Sequence, residues 1–380
     1  MLLLQVSLFA AVVPIVVRGG LGKPAPRFVM PPAATASSTT PLYYSEPLPS
    51  SGTAIVHGAS IAEMANGDLL AAWYGGSDEV RRDVAIFTTI RDHRTGRWSA
   101  PRVTESCASA ERSLGIHVKS LGNPVLMADA RGVTLFYIVV LRGGWSGGTI
   151  CMRTSPDAMH WSEARHIQTS PFLNIGMLVK GAAIAYEDGT IALPIYHELL
   201  RRRAAIARVD RTGRVLDVAR IEGGLSLIQP WVVTTSPRDA VAFLRWSERT
   251  PGYVTFTRTG DGGLHWSPVA STPLIQRDSA LAGARLDDDS LLLIYNSSPL
   301  DRRSLSMVRS KGDGHWSPPY AIERDLAPDD QIRREYSYPF ITRSRDGVYH
   351  VVYTWQRTLI RHVAFNDAWV MNEPELRSVK

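Results

Sequence analysis

The stretch Thr259-Gly-Asp-Gly-Gly-Leu-His-Trp266 runs from a small hydroxyl through an Asp and a Gly to a Trp. Each residue suits a tight turn. An Asp side chain caps such a turn by accepting backbone N–H bonds, and Gly takes the φ > 0 position without steric cost. The Trp is a large apolar anchor that pins the turn to the strands it joins. A single copy would say little, but the chain repeats it. Ser310-Lys-Gly-Asp-Gly-His-Trp316 is one residue shorter, and Ser155-Pro-Asp-Ala-Met-His-Trp161 has lost its Gly. Arg91 to Trp98 keeps only Gly96 and the Trp. Between Trp161 and Trp266 the gap is twice the usual spacing, and Asp210-Arg-Thr-Gly213 stands where a decayed copy belongs.

A second kind of turn recurs at Asn66-Gly67, Arg131-Gly132, Asp188-Gly189, Arg238-Asp239, Asp288-Asp289 and Asp346-Gly347, at intervals of roughly 50–65 residues. Each lies between short apolar runs and therefore reads as a hairpin. Six hairpins, each followed by further strands and a Trp-bearing turn, make six units of about four strands. That period predicts an all-β chain, a six-bladed β-propeller with four-stranded antiparallel blades. A β-sandwich has similar turns but does not account for a Trp turn repeated along one edge.

The apolar share of 44% and charged share of 21% suffice for a substantial core and exclude a disordered chain. The net charge of +6 favours anionic partners. Nucleic acid is not expected, because the Arg residues are scattered, apart from Arg201-Arg202-Arg203, and no aromatic-basic motif accompanies them. Residues 1–20, apolar through Val17, read as a secretory signal peptide or an uncleaved membrane anchor, so export to the periplasm or medium is expected. Residues 21–50, rich in Pro, Ser, Thr and Ala, read as a linker, and 51–370 as the propeller. Cys107 and Cys151 can form one disulfide or stand as two buried thiols. No metal-ligand spacing, elbow motif or phosphate loop is present, so no metal or cofactor is expected.

A propeller places its site at one mouth of the central channel, where the innermost strand of each blade begins. Polar residues at those starts are His57, Asn123, Lys180, Gln229, Asp278 or Ser279, and Tyr336 or Tyr338. Alternate side chains of a strand point to opposite faces, so one of the two Tyr faces the channel. A lone Lys after an apolar run is costly unless it reaches the channel or solvent. Trp145, in a Gly-rich loop, can stack on a sugar or anchor that loop.

The Trp turns resemble the Asp-box (BNR) repeat of the sialidase superfamily, over residues 50–366. The similarity also shows in HGASIAEMANGDLLAAWYGGSDEVRRDVAI, LSLIQPWVV and REYSYPFITRSRDGVYHVVYTWQRTLIRHV. The resemblance implies the six-bladed propeller and an active site holding an Arg triad, a Tyr nucleophile activated by a Glu, and a carboxylic acid. Mapped onto this chain, it implies Tyr336 at the nucleophile place, with Glu335 and Tyr338 as neighbours. Arg245 falls at the second triad Arg, and the third is to be sought among Arg302, Arg303 and Arg309. The acid falls among Asp78, Glu79 and Asp83. Two positions depart from the pattern: His57 stands where the first triad Arg belongs, and Gln229 where the Glu belongs. A neutral amide cannot take the phenol proton as a base, whereas His57 can exchange a proton near neutral pH.

The resulting expectation is an exported, monomeric, sialidase-like glycosidase that removes a terminal acidic sugar from a glycan. Tyr336, His57, Glu79 and Gln229 are its catalytic candidates. Arg245, Lys180, Asn123, Asp83 and Tyr338 are its substrate-binding candidates. Two alternatives are a propeller enzyme of another class, acting on uronate- or deoxysugar-containing glycans through His and Tyr, and a non-catalytic carbohydrate-binding propeller.

Overall fold

In the opening turn, Asp261 accepts the backbone N–H of His265 at 3.0 Å, the hydroxyl of Thr259 at 2.9 Å and the His265 ring at 2.6 Å. The Trp266 indole closes the loop by donating to the carbonyl of Gly263 at 3.1 Å. Gly262 has φ +74°, and a Cβ there would stand 1.9 Å from the carbonyl oxygen of Pro26, so no other residue fits. The same chemistry recurs at Asp157, which caps Met159 and His160, and at Asp210, which caps Thr212 and Arg214. Asp313 caps His315.

The computed structural model describes residues 25–31, 38–170, 174–199, 202–223, 226–248, 252–324 and 335–378. They form six antiparallel sheets, each a blade, over residues 55–106, 120–166, 177–220, 227–276, 282–324 and 336–365. Every hairpin turn read from the sequence joins the first and second strands of a blade, and the Asp boxes join third to fourth. The fold is the six-bladed β-propeller. Residues 1–20 lie outside the described residues.

One expectation is corrected. Tyr43–Pro47, read as linker, is a strand: it pairs with Leu359–Phe365, from Tyr43↔Phe365 to Pro47↔Arg361, and completes the sixth blade. Its Pro- and Ser-rich flanks hid an alternating segment that needs a partner from the far end of the chain. Of the two alternatives left open for Cys107 and Cys151, the structure has the two buried thiols: both are free. Burial pushes both thiols up, Cys107 to about 11.

The core lies between blades, where alternate residues of fully buried strands such as Leu69–Gly76 and Leu227–Thr234 interdigitate. Because first and third strands run away from the channel mouth, the hairpin turns and Asp boxes share one end. The opposite end carries the loops between second and third strands and the connections between blades. The site is built on that opposite end.

Candidate active site

At the mouth the innermost strands share a distortion. The ladder slips between His57 and Ser60, Gly122 and Val125, Ile228 and Trp231, and Ser337 and Phe340. Within these bulges one residue adopts a left-handed backbone: Gly58 (φ +61°), Asn123 (+42°), Gln229 (+51°) and Tyr338 (+56°). Asp278, ahead of the blade-five strand, does the same at +40°. Such conformations cost of order 1–3 kcal/mol in non-Gly residues and cluster at functional sites. In three of these bulges a Pro follows: Asn123-Pro124, Gln229-Pro230 and Tyr338-Pro339.

This geometry brings Tyr338, not Tyr336, to the channel floor. The Tyr338 phenol accepts a hydrogen bond from Arg245 Nη1 at 3.2 Å, and its ring meets His57 edge-on with centroids 4.4 Å apart. Tyr336 lies one layer back, its hydroxyl 3.5 Å from the Gln356 amide and its ring against Trp355. The two Tyr sit on either side of Ser337, and the bulge decides which one faces inward.

Around Tyr338 and His57 stand three arginines. Arg245 donates through Nε (3.0 Å) and Nη2 (2.6 Å) to Asp278 Oδ1, and through Nη1 to Gln229 Oε1 (2.8 Å). Burial opposes its charge, but Tyr338 and Asp278 outweigh that and hold its pKa above the ordinary value. Arg302 binds the carbonyl of Asp278 and lies 3.7 Å from Glu335 Oε2. Arg357, which the sequence reading did not single out, pairs with Glu79 and Glu335, each at 2.6 Å. It sits in the Trp355–Thr358 turn between the last two strands and has φ +59°. Arg309, another triad candidate, instead binds Asp288 and Ser290 at the hairpin end.

His57 is 1% exposed and lies between two carboxylates, with Nε2 3.6 Å from Glu79 and Nδ1 3.9 Å from Glu335. Its Nδ1 has no hydrogen-bond partner. Burial first, then Arg357, Arg302, Lys180 and Arg245, depress its pKa well below 6.5, so the imidazole is neutral at pH 7. Glu79 also accepts from the Tyr74 hydroxyl at 3.4 Å. Asn123 and Gln229 both donate to the Tyr196 hydroxyl, at 3.4 and 3.3 Å, and form the floor between blades two and four. Lys180 is buried on the same floor. Asp83 lies apart from the cluster: it is exposed and ties down its own loop through the Ser77 N–H and hydroxyl, at 2.8 and 3.0 Å.

Glu198, also absent from the sequence reading, follows Tyr196 by two residues at the end of its strand. Its carboxyl is pushed up by burial, against the pull of Arg245 and Arg202. A raised pKa suits a carboxyl that holds a proton. Trp145 packs on Tyr74 (centroids 6.0 Å) and over Gly122, where a Cβ would stand 2.3 Å from the indole, so it anchors its loop to the site wall. Among the described residues there is no cluster of His, Cys, Asp and Glu fit to hold a metal ion.

The profile of the BNR repeat-like domain family matches residues 67–351. No curated protein matches the chain. Among solved structures, the chain is similar to the Hadza microbial sialidase Hz136, with 16% identity, TM-score 0.66, and 82% of this chain and 66% of that one covered. A similar match is the intramolecular trans-sialidase from Ruminococcus gnavus in complex with oseltamivir carboxylate, with 13% identity, TM-score 0.66, and 90% and 99% covered. A Dyadobacter fermentans protein of unknown function matches with 14% identity, TM-score 0.67, and 85% and 97% covered.

Proposed function

Since the chain belongs to the BNR repeat-like domain family and carries the sialidase-like propeller, we propose that it is an exported glycoside hydrolase removing a terminal acidic sugar from glycans. The observation that carries this reading is the contact of Tyr338 with both Arg245 and His57 at the channel mouth. In the proposed reaction the Tyr338 phenol attacks the anomeric carbon, a known exception to the use of two carboxylates. The Gln229 amide cannot take the phenol proton, so the neutral His57 ring, whose Nδ1 has no hydrogen-bond partner, accepts it. Glu198 supplies the proton to the leaving oxygen. Glu79 is committed to Arg357 and orients it together with His57. The apolar run at residues 1–17 supports export. Among the described residues no helix is long and apolar enough to cross a membrane.

The test is turnover of fluorogenic sialosides and uronides, with a 3-fluorinated sialyl fluoride to trap the glycosyl-enzyme. Sialoside turnover with a mass adduct on the Tyr338 peptide supports the reading. Turnover without an adduct, on uronides alone, favours His57 and Tyr338 acting as an acid/base pair of another class. Binding without turnover of any glycan favours a carbohydrate-binding propeller, as the Gln229 amide at the base position would suit.

A further inference from the structure

The charges at the channel mouth do not add up to an open arginine clamp. Arg245 is held by Asp278, Arg357 by Glu79 and Glu335, and Arg302 by Glu335 and the Asp278 carbonyl. Three guanidiniums thus face three carboxylates of the protein's own. Their donors are largely taken before any sugar arrives.

One cation of the cluster is not matched in this way. Lys180 is 2% exposed, and its Nζ has no hydrogen-bond partner. The amine lies 5.5 Å from the centroid of the Tyr338 ring and 5.3 Å from that of Phe340, so it rests against two aromatic faces. Such contacts offset a small part of the cost of removing an ammonium from water. A strand interruption places it there: the innermost strand of blade three breaks off after Val179 and resumes at Ile184. The next residue, Gly181, runs so close to blade four that a Cβ would stand 2.1 Å from the Pro230 carbonyl. This close approach seats the Lys180 backbone against blade four, with the amine next to the Tyr338 ring.

We propose, on the reading that the mouth binds a terminal acidic sugar, that Lys180 rather than the arginine set recognises the sugar's carboxylate and so fixes the specificity for acidic over neutral sugars. The three arginines then act through their carboxylates, as a neutral frame that positions Tyr338 and His57. Burial depresses the pKa of Lys180 to about 7. A bound carboxylate restores the charged form, so binding draws a proton onto the amine. The groups facing Lys180 are the Tyr338 and Phe340 rings of blade six and, by charge, the His57 imidazole of blade one.

Calorimetric titration of N-acetylneuraminic acid and its methyl ester tests this. The wild type should prefer the acid by at least about tenfold, the worth of one charge-assisted contact, and Lys180→Met should bring the two ligands to within about threefold. Lys180→Met that keeps the preference, or Arg357→Gln that alone abolishes it, overturns the proposal. A wild-type measurement guards against a variant that does not fold. At pH 8, in two buffers of different ionisation enthalpy, the acid should take up close to one proton and the ester none. Repeating this in His57→Asn separates the imidazole from the amine, and absence of uptake there overturns the proposal. Equal affinity for acid and ester in the wild type defeats the Lys180 assignment and leaves the glycan reading standing. Preference through Lys180 without turnover upholds the Lys180 assignment and defeats the hydrolase reading alone. Failure of both ligands to bind defeats both.

Discussion

Replacing Lys180 by Met should stabilise the unliganded protein, an unusual result for a substitution in a buried cluster. The wild-type amine is removed from water without a partner, and its pKa falls from 10.5 to about 7. One pKa unit corresponds to about 1.4 kcal/mol, so at pH 7 the folded state carries a penalty on the order of 4 kcal/mol. Met keeps the unbranched stem and adds a sulfur–aromatic contact with Tyr338 and Phe340. Unfolding entropy is about 2.1 cal/mol/K per residue, or about 0.7 kcal/mol/K for a propeller of this size, so Tm should rise by roughly 5 °C. The pH dependence follows from the sign of the shift. The folded pKa lies below the unfolded one, so between pH 7 and 10.5 the unfolded chain binds more protons. Wild-type stability therefore gains from this group as pH rises through that window, by up to about 1.4 kcal/mol per unit, and the Met variant lacks the gain. Differential scanning calorimetry at pH 7, 8 and 9 measures both quantities. A variant Tm at or below that of the wild type at pH 7, with an unchanged pH slope, would refute the reasoning. It would mean that the amine has a partner of its own in the folded protein.

Tyr338→Phe should abolish sialoside turnover while Tyr336→Phe keeps it within about tenfold; the opposite ranking in steady-state kinetics would return the nucleophile role to Tyr336. Gln229→Glu places a carboxylate on the existing 2.8 Å bond to Arg245, beside the phenol. General-base catalysis is worth about 10²–10⁴-fold, so kcat on a fluorogenic sialoside should rise at least tenfold, and an unchanged kcat with binding retained counts against covalent attack by Tyr338. Glu46→Gln should cost about 1 kcal/mol at pH 7, since Glu46 accepts from His362 at 3.0 Å and Trp98 at 2.9 Å. The His362 bond is the first cause of its lowered pKa, so its contribution is present above pH 4.5 and is lost as pH falls through the folded value. Urea unfolding at pH 7 and pH 4 should show the difference between variant and wild type shrinking on acidification.

The scaffold was legible because its signals are local. An Asp that caps a turn and a Gly that must adopt φ > 0 act within a few residues, so each copy could be recognised on its own, even the decayed one at Asp210. The site was less legible because its geometry depends on bulges and on loops from the other end of the barrel of blades. Arg357 lies in a four-residue turn without any Asp-box character, and of its partners Glu335 opens the same blade while Glu79 comes from the first blade, far away in sequence. Glu198 has only its strand phase with Tyr196 to recommend it. The sequence does carry one further signal. Asn123-Pro124, Gln229-Pro230 and Tyr338-Pro339 occupy equivalent places in three blades, and aligning them singles out Tyr338 over Tyr336. Tyr43–Pro47 was missed for a different reason: its hydrogen-bond partner is the last strand of the chain.

That last pairing has a consequence for how the protein comes into being. Tyr43 meets Phe365 across more than 300 residues, and the entropy of closing a loop grows only as the logarithm of its length, about 0.6 kcal/mol per doubling. The closure is thus cheap in equilibrium terms yet impossible to make until the final strand has left the ribosome. An emerging chain would carry five self-contained blades and two unpaired edges. Once the final strand docks, neither terminus is an end from which the blades can peel.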